Sequence, residues 1–209
     1  MTRPAPALAQ LLSAYAEGWF PMADGAEGDL GLYRSRRRAW LPLDAGFHVP
    51  RSLRRVLNSN RFELRLNTAF EAVVAGCADR PDTWISPQLA AVYSALRAAG
   101  RAHSIEAWDR DGLAGGQLGV SLGACWIGES MFHRRSHGSN VVLVQLQRAL
   151  RAGGYALYDV QILNPHLQRF GARDCDDAAW MPQLRRAVAR PALLTIGGTT
   201  VASEPWVAG

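Results

Sequence analysis

Three segments near the middle of the chain decide the fold: ACWIGESMF at 124–132, SNVVLVQLQRALRA at 139–152 and YALYDVQI at 155–162. The first and third are short and apolar and read as buried strands. The second places Val142, Leu143, Leu146, Ala149 and Leu150 at helical spacing, and Gly153-Gly154 ends it. A strand, a helix and a strand in this order predict an α/β unit with the helix packed across the sheet. Both strands also carry a carboxylate, Glu129 and Asp159. Burying an ionised carboxylate is costly unless it is paired or hydrogen-bonded, so strands of this kind often carry chemistry.

Two further strands precede this unit. Residues 103–108 and 113–122 alternate or run apolar, and Asp109-Arg110-Asp111-Gly112 between them is a turn. Upstream, 7–17 reads as a helix stopped by Gly18, and Trp19-Phe20-Pro21-Met22 as an aromatic loop. Gly- and charge-rich loops follow to about Gly46, then a strand over 62–67 and a helix from Thr68 to Cys77. Ser86-Pro87 opens another helix to Ala99. Downstream, short helices are expected over 165–170 and 177–189. The domain reading is a small Arg-rich N-terminal region over 1–60, a core over 61–195 and a tail over 196–209.

Composition bounds the function classes. The 209 residues are 48% hydrophobic and 20% charged, which suits one ordinary core and argues against disorder. No apolar run reaches the roughly 18 residues of a membrane span, and 1–6 lacks the apolar stretch of a signal peptide. A cytoplasmic protein is expected. Cys77, Cys125 and Cys175 are far apart and form no CxxC, so neither a disulfide framework nor a thiolate metal site is expected. His133 and His137 have no evident third ligand.

Net charge is +5, and all 23 basic residues are Arg. Eight of them (34, 36, 37, 38, 51, 54, 55 and 61) lie between Arg34 and Arg61 with a single acid, Asp44. Such a stretch suits bidentate contacts to a polyanion such as RNA, or a solvated face. On the strands, alternation puts Tyr155, Leu157, Asp159 and Gln161 on one face, and Glu129 with Ile127 and Met131. Ser130 and Trp126 are then expected on the opposite face of their strand.

The chain resembles the leucyl/phenylalanyl-tRNA–protein transferases over roughly Leu11 to Val188. The matching stretches are Tyr15 with Gly18-Trp19-Phe20-Pro21, Pro81-Asp82-Thr83-Trp84-Ile85, 102–108 (AHSIEAW), Gly115-Gly116 with Gly119-Val120, Gly128–Phe132, 159–164 (DVQILN), and His166-Leu167 with Gly171-Ala172. The resemblance implies an acetyltransferase-like (GNAT-type) α/β core with a mostly antiparallel sheet flanked by helices, plus a small N-terminal domain. It implies a leucyl- or phenylalanyltransferase that moves Leu or Phe, and less well Met, from aminoacyl-tRNA to the N-terminal amine of proteins beginning with Arg or Lys. The product is a degradation signal. The aminoacyl ester is already activated, so no cofactor is implied: neither ATP, metal nor coenzyme A.

By the same resemblance Asp159 and Gln161 are the catalytic pair, with Gln161 orienting the attacking amine and Asp159 polarising it. Asn164 holds this network, and Glu129 receives the cationic acceptor. Trp84 contacts the terminal adenosine, while Tyr15, Tyr93 and Ser130 lie near the substrate. Trp126, Met131 and Leu143 are expected around the amino-acid side chain. From the charge run, several of Arg34, Arg36, Arg37, Arg38, Arg54 and Arg55 are expected to touch the acceptor arm of the tRNA. The chain departs from the family at Asn140, often Lys, at Gln117 and Tyr158, commonly apolar, and at Met22, in some members Trp. Two other readings compete. One is a coenzyme-A-dependent N-acetyltransferase, whose pyrophosphate loop is half matched by Arg135-Ser136-His137-Gly138-Ser139-Asn140. The other is a non-catalytic RNA-binding module.

Overall fold

The computed structural model describes residues 7–26 and 28–206. The segment 1–6 read for targeting and the end of the expected tail, 207–209, lie outside the described residues. The elements run in the order α1 Leu8–Ala16, β1 Phe20–Ala23, β2 Leu30–Tyr33, β3 Arg37–Trp40, α2 Arg51–Asn58, β4 Glu63–Leu66, α3 Phe70–Ala78, α4 Pro87–Ala98 and β5 Ala102–Asp109. They continue with β6 Gly112–Leu122, β7 Cys125–His133, α5 Gly138–Ala152, β8 Leu157–Gln161, α6 Pro165–Gln168, β9 Arg173–Asp176, α7 Asp177–Val188, β10 Ala192–Ile196 and β11 Thr199–Ser203. No helix among the described residues is long and apolar enough to cross a membrane.

Seven strands form one sheet in the order β4-β5-β6-β7-β8-β3-β9. All neighbours are antiparallel except β7 and β8, the two strands joined by α5. A parallel pair needs such a crossover, which is why the strand–helix–strand reading fixes this part of the fold. Each face of the sheet covers a core. One is built with Leu11, Leu12, Val73, Leu89, Leu96, Trp180 and Leu184, from α1, α3, α4 and α7. The other contains Leu53 of α2, Val142, Leu143 and Leu146 of α5, and Leu194 of the β10–β11 hairpin. Trp126 sits deep in this second core, stacked on His103, over a strand position that must be glycine: a Cβ on Gly119 would come within 2.2 Å of the indole.

The N-terminal half differs from the sequence reading. Phe20–Ala23 is a strand of a two-stranded hairpin with Leu30–Tyr33, not a loop. Residues 37–40 form a strand inserted between β8 and β9, and 51–58 form a helix. Four-residue strands leave too little alternation to read, and the arginines of β3 mask it further. The expected tail from 196 contributes β11, paired along its length with β10.

The middle of β7 also departs from simple alternation. Against β6, Leu118 pairs with Ser130 and Gly119 pairs with Gly128, so Glu129 is an extra residue on its strand. A bulge of this kind re-aims a side chain and reverses the pattern beyond it. Ile127 therefore packs in the first core and Met131 against the second, not on one face as alternation predicts.

Candidate active site

β7 and β8 pair only over Cys125–Ile127 and Leu157–Asp159. Beyond those residues the hydrogen bonding stops, and a cavity of about 210 Å³ opens. Gly128, Glu129, Ser130 and Met131 line it from β7, and Val160 and Gln161 from β8. Gln117 of β6 also lines it, with Arg80, Trp84, Asn164, His166 and Leu167 around it. The bulge at Glu129 and the end of β8 thus sit at the same opening.

β8 stops through an unusual turn. Gln161 has φ +61°, and the N–H of Ile162 donates to the carbonyl of Val160 at 2.7 Å. A three-residue turn with positive φ at a non-glycine centre is strained, and strain of this type collects at functional sites. Asp159 holds the turn: its Oδ1 accepts the backbone N–H of Gln161 at 2.7 Å. The turn directs the Gln161 side chain at Glu129, with Nε2 donating to Oε2 at 3.2 Å. The Tyr93 hydroxyl donates to the same oxygen at 3.1 Å. Glu129 Oε1 and the Tyr15 hydroxyl belong to this cluster, and neither completes a hydrogen bond.

Asp159 is wholly buried and paired through Oδ2 with the Arg38 guanidinium. Arg38 also donates to the carbonyl of Gly18 at 2.8 Å and lies over the rings of Phe20 and Trp180. Burial pushes the Asp159 carboxyl upward, opposed by Arg38 and by the Gln161 N–H. Burial also raises Glu129 to about 7, against the lowering hydrogen bonds from Gln161 and Tyr93. The two carboxylates thus meet opposite treatment: one is matched by a cation, the other by neutral donors only.

The geometry sorts the expected residues. Glu129, Ser130, Met131, Trp84, Gln161 and Asn164 come together at the cavity, with Asp159, Tyr15 and Tyr93 behind them. Asn164 reaches elsewhere than expected: it caps α6, accepting the Leu167 N–H at 2.9 Å, and makes no bond to Asp159 or Gln161 among the described residues. Asp159 bonds the backbone of Gln161 and not its carboxamide. Trp126 and Leu143 do not line the cavity; both are fully buried in the core beneath α5.

Arg38 leaves the expected set of RNA contacts, because its side chain is only 2% exposed and committed to Asp159. Arg34 pairs with Asp177, and Arg37 with Asp174 and Asp176. Arg36, Arg54 and Arg55 are exposed. Sequence reasoning misses Arg80, which donates to the Ser130 hydroxyl at 2.7 Å, a partner 50 positions away that spacing does not announce. The signal for Arg38 is an arginine beside apolar Ala39 and Leu41, in a segment too short to read as a strand.

Two family models match the chain. That of the leucyl/phenylalanyl-tRNA protein transferase covers residues 41–185, and that of the same enzyme's N-terminal domain covers 7–36. The chain belongs to this family. A leucyl/phenylalanyl-tRNA–protein transferase of Synechococcus sp. (strain JA-3-3Ab) is 49% identical over 181 residues, 87% of this chain and 94% of the relative. Those of Thermosynechococcus vestitus and Akkermansia muciniphila are 51% and 45% identical, covering 85% of this chain and 89% and 94% of their own lengths. The chain is an aminoacyltransferase of the leucyl/phenylalanyl-tRNA–protein transferase family. The two models meet at β3, the strand that brings Arg38 to Asp159.

Proposed function

We propose that this transferase moves Leu or Phe, and less well Met, from charged tRNA to the α-amine of proteins beginning with Arg or Lys. The observation that supports this most is the vacant acceptor pair at the cavity. Gln161 Oε1 has no partner among the described residues, because its Nε2 is the atom turned to Glu129. Glu129 Oε1 is likewise unfilled. An incoming amine supplies a donor for the carboxamide oxygen, and a cationic N-terminal residue is drawn to the carboxylate beside it. In the reaction the amine nitrogen attacks the ester carbonyl and the N–C bond forms. The bond from that carbon to the ribose oxygen breaks, the amine loses one proton and the ribose oxygen gains one. Positioning the amine against an activated ester accounts for most of the acceleration such a site needs.

Gln161 accepts from the amine and fixes its approach, while Asp159 holds the turn that aims Gln161. Trp84 at the rim suits the terminal adenosine. Met131, Val160 and Leu167 give the apolar wall for the transferred side chain. The single parallel pair with its opening supports the acetyltransferase-like reading of the core. The tRNA body is placed against exposed Arg36, Arg54 and Arg55, with Arg34 and Arg37 beside it. We place the reaction in the cytoplasm, where charged tRNA is made, and its product in degradation.

The test is transfer of labelled Leu, Phe and Met from charged tRNA to a peptide beginning with Arg, against one beginning with Ala. Transfer to the first alone is expected, and Asp159→Ala is expected to bind tRNA but not transfer. Equal transfer to both peptides would overturn the acceptor assignment. Replacing Arg54 and Arg55 with Ala should flatten the dependence of log K on log salt by about 0.7–0.9 for each phosphate left without its arginine. An unchanged slope removes α2 from the RNA surface.

A further inference from the structure

Gln117 of β6 is a polar residue in the wall of the cavity beside the reacting groups. It is 2% exposed, yet it lines that cavity. Its Oε1 accepts the hydroxyl of Tyr158 at 2.7 Å, and Tyr158 is fully buried. The carboxamide is thereby oriented: with Oε1 held, Nε2 turns toward Gly128 and the open space. A Cβ on Gly128 would lie 2.8 Å from that nitrogen, so the glycine is what lets the amide occupy its position. Nε2 has no acceptor among the described residues. A carboxamide nitrogen carries two donors, and both remain available to a group that enters the cavity.

Resting on the transfer reaction proposed above, we propose that Gln117, oriented by Tyr158, is a specificity-determining residue for the transferred amino acid. Compared with an all-apolar wall, its free N–H groups raise the use of a side chain that brings a hydrogen-bond acceptor into the cavity relative to one of similar size made of hydrocarbon alone, so that Met gains on Leu without having to exceed it. The chemical class is an apolar side chain with one acceptor atom, such as the thioether of Met or the hydroxyl of Tyr. Met131, Val160 and Leu167 still require the rest of the side chain to be apolar. A site holding a donor for its substrate discriminates against an analogue that leaves the donor empty, whereas an all-apolar pocket discriminates only weakly against an added polar atom.

The experiment compares kcat/KM for two matched pairs of charged tRNAs, Tyr against Phe and Met against Leu, in the wild type and in the double variant Gln117→Met/Tyr158→Phe. The double variant keeps the volume and leaves no buried hydroxyl without a partner, so it is expected to fold. Dividing the variant's ratio by that of the wild type cancels differences between tRNA bodies. Both ratios should fall by about tenfold in the variant. Ratios unchanged within about twofold, with Leu transfer retained, would overturn the proposal.

A second arm uses non-transferable amide analogues of Tyr- and Phe-adenosine in calorimetry, and reads the same ratio as Kd without chemistry. A tenfold shift there, with no transfer to any peptide, would uphold Gln117 and overturn the proposed reaction instead. No shift in binding would overturn the role of Gln117 whatever the transfer assay gives.

Discussion

Asp159 and Glu129 are buried carboxylates on neighbouring strands, yet their surroundings differ in kind. Asp159 is enclosed by a cation and a backbone N–H, and every neighbour that touches it also ties down another part of the fold. Glu129 sits on a bulge at the cavity, receives two neutral donors on one oxygen, and leaves the other oxygen empty. The first carboxylate has both oxygens filled; the second keeps one without a partner. A carboxylate that shapes a site is saturated by protein groups. One that receives a substrate must keep part of its hydrogen-bonding capacity free and bears the desolvation cost of doing so.

Breaking the filled side should have the largest effect. Arg38→Met leaves a charge buried at Asp159 without its cation, and about 3–5 kcal/mol of stability should be lost. The same substitution frees the carbonyl of Gly18 and loosens the packing on Phe20 and Trp180. Arg38→Met/Asp159→Leu should recover most of that loss, because neither charge remains to be solvated, while transfer stays absent. Urea unfolding of the two single variants and the double one measures the coupling. Additive losses would show that the pair does not act as a unit.

The unfilled side should respond to pH. Folding raises the Glu129 carboxyl to about 7 from an ordinary 4.5. In that window the folded protein binds more protons than the unfolded chain, so the Glu129 contribution to stability falls as pH rises. Glu129→Gln removes the effect. Relative to wild type, the variant should therefore gain on the order of 1–3 kcal/mol between pH 4.5 and pH 7.5, while losing transfer. Thermal melts at the two pH values check the sign; a gain that is larger at the lower pH would contradict the raised ionisation. In the wild type, the rate of transfer should climb through about 7 as Glu129 ionises.

Legibility in the sequence divides along the same line. The elements around Glu129 and Asp159 are readable because β6 and β7 are long apolar runs bounded by turn residues and α5 keeps a clean helical period. The Ser86 cap, which accepts the Leu89 N–H at 3.3 Å, and the stop at Gly153-Gly154 mark two helix boundaries. What cannot be read is contributed by single residues from far away in the chain. Arg38 comes from a four-residue strand, 121 positions from its partner, and looks like any other arginine in a basic run. The bulge at Glu129 is a mismatch between two strands and is invisible in either one alone. Trp126 and Leu143 are expected at the pocket because they share elements with it. Both are fully buried in the core whose edge residues Met131, Val160 and Leu167 line the cavity, and element identity alone does not say how near the opening a residue lies.

The smallest expected effect tests how the two sides are joined. Gln161 is the link: its backbone N–H belongs to Asp159, its side chain to Glu129, and its φ is +61°. Left-handed backbone costs a non-glycine residue roughly 1–2 kcal/mol. Gln161→Gly removes that strain along with the side chain, whereas Gln161→Ala removes the side chain and keeps the strain. Both should abolish transfer, since neither can hold an amine. Gln161→Gly should nevertheless be the more stable of the two by about 1 kcal/mol, after glycine's own entropic cost in the unfolded chain is set against the relief. Comparing urea midpoints of these two inactive variants isolates the backbone from the carboxamide. If the alanine variant proved the more stable, the turn would be relaxed in solution, and Asp159 would be holding Gln161 in place without storing strain in it.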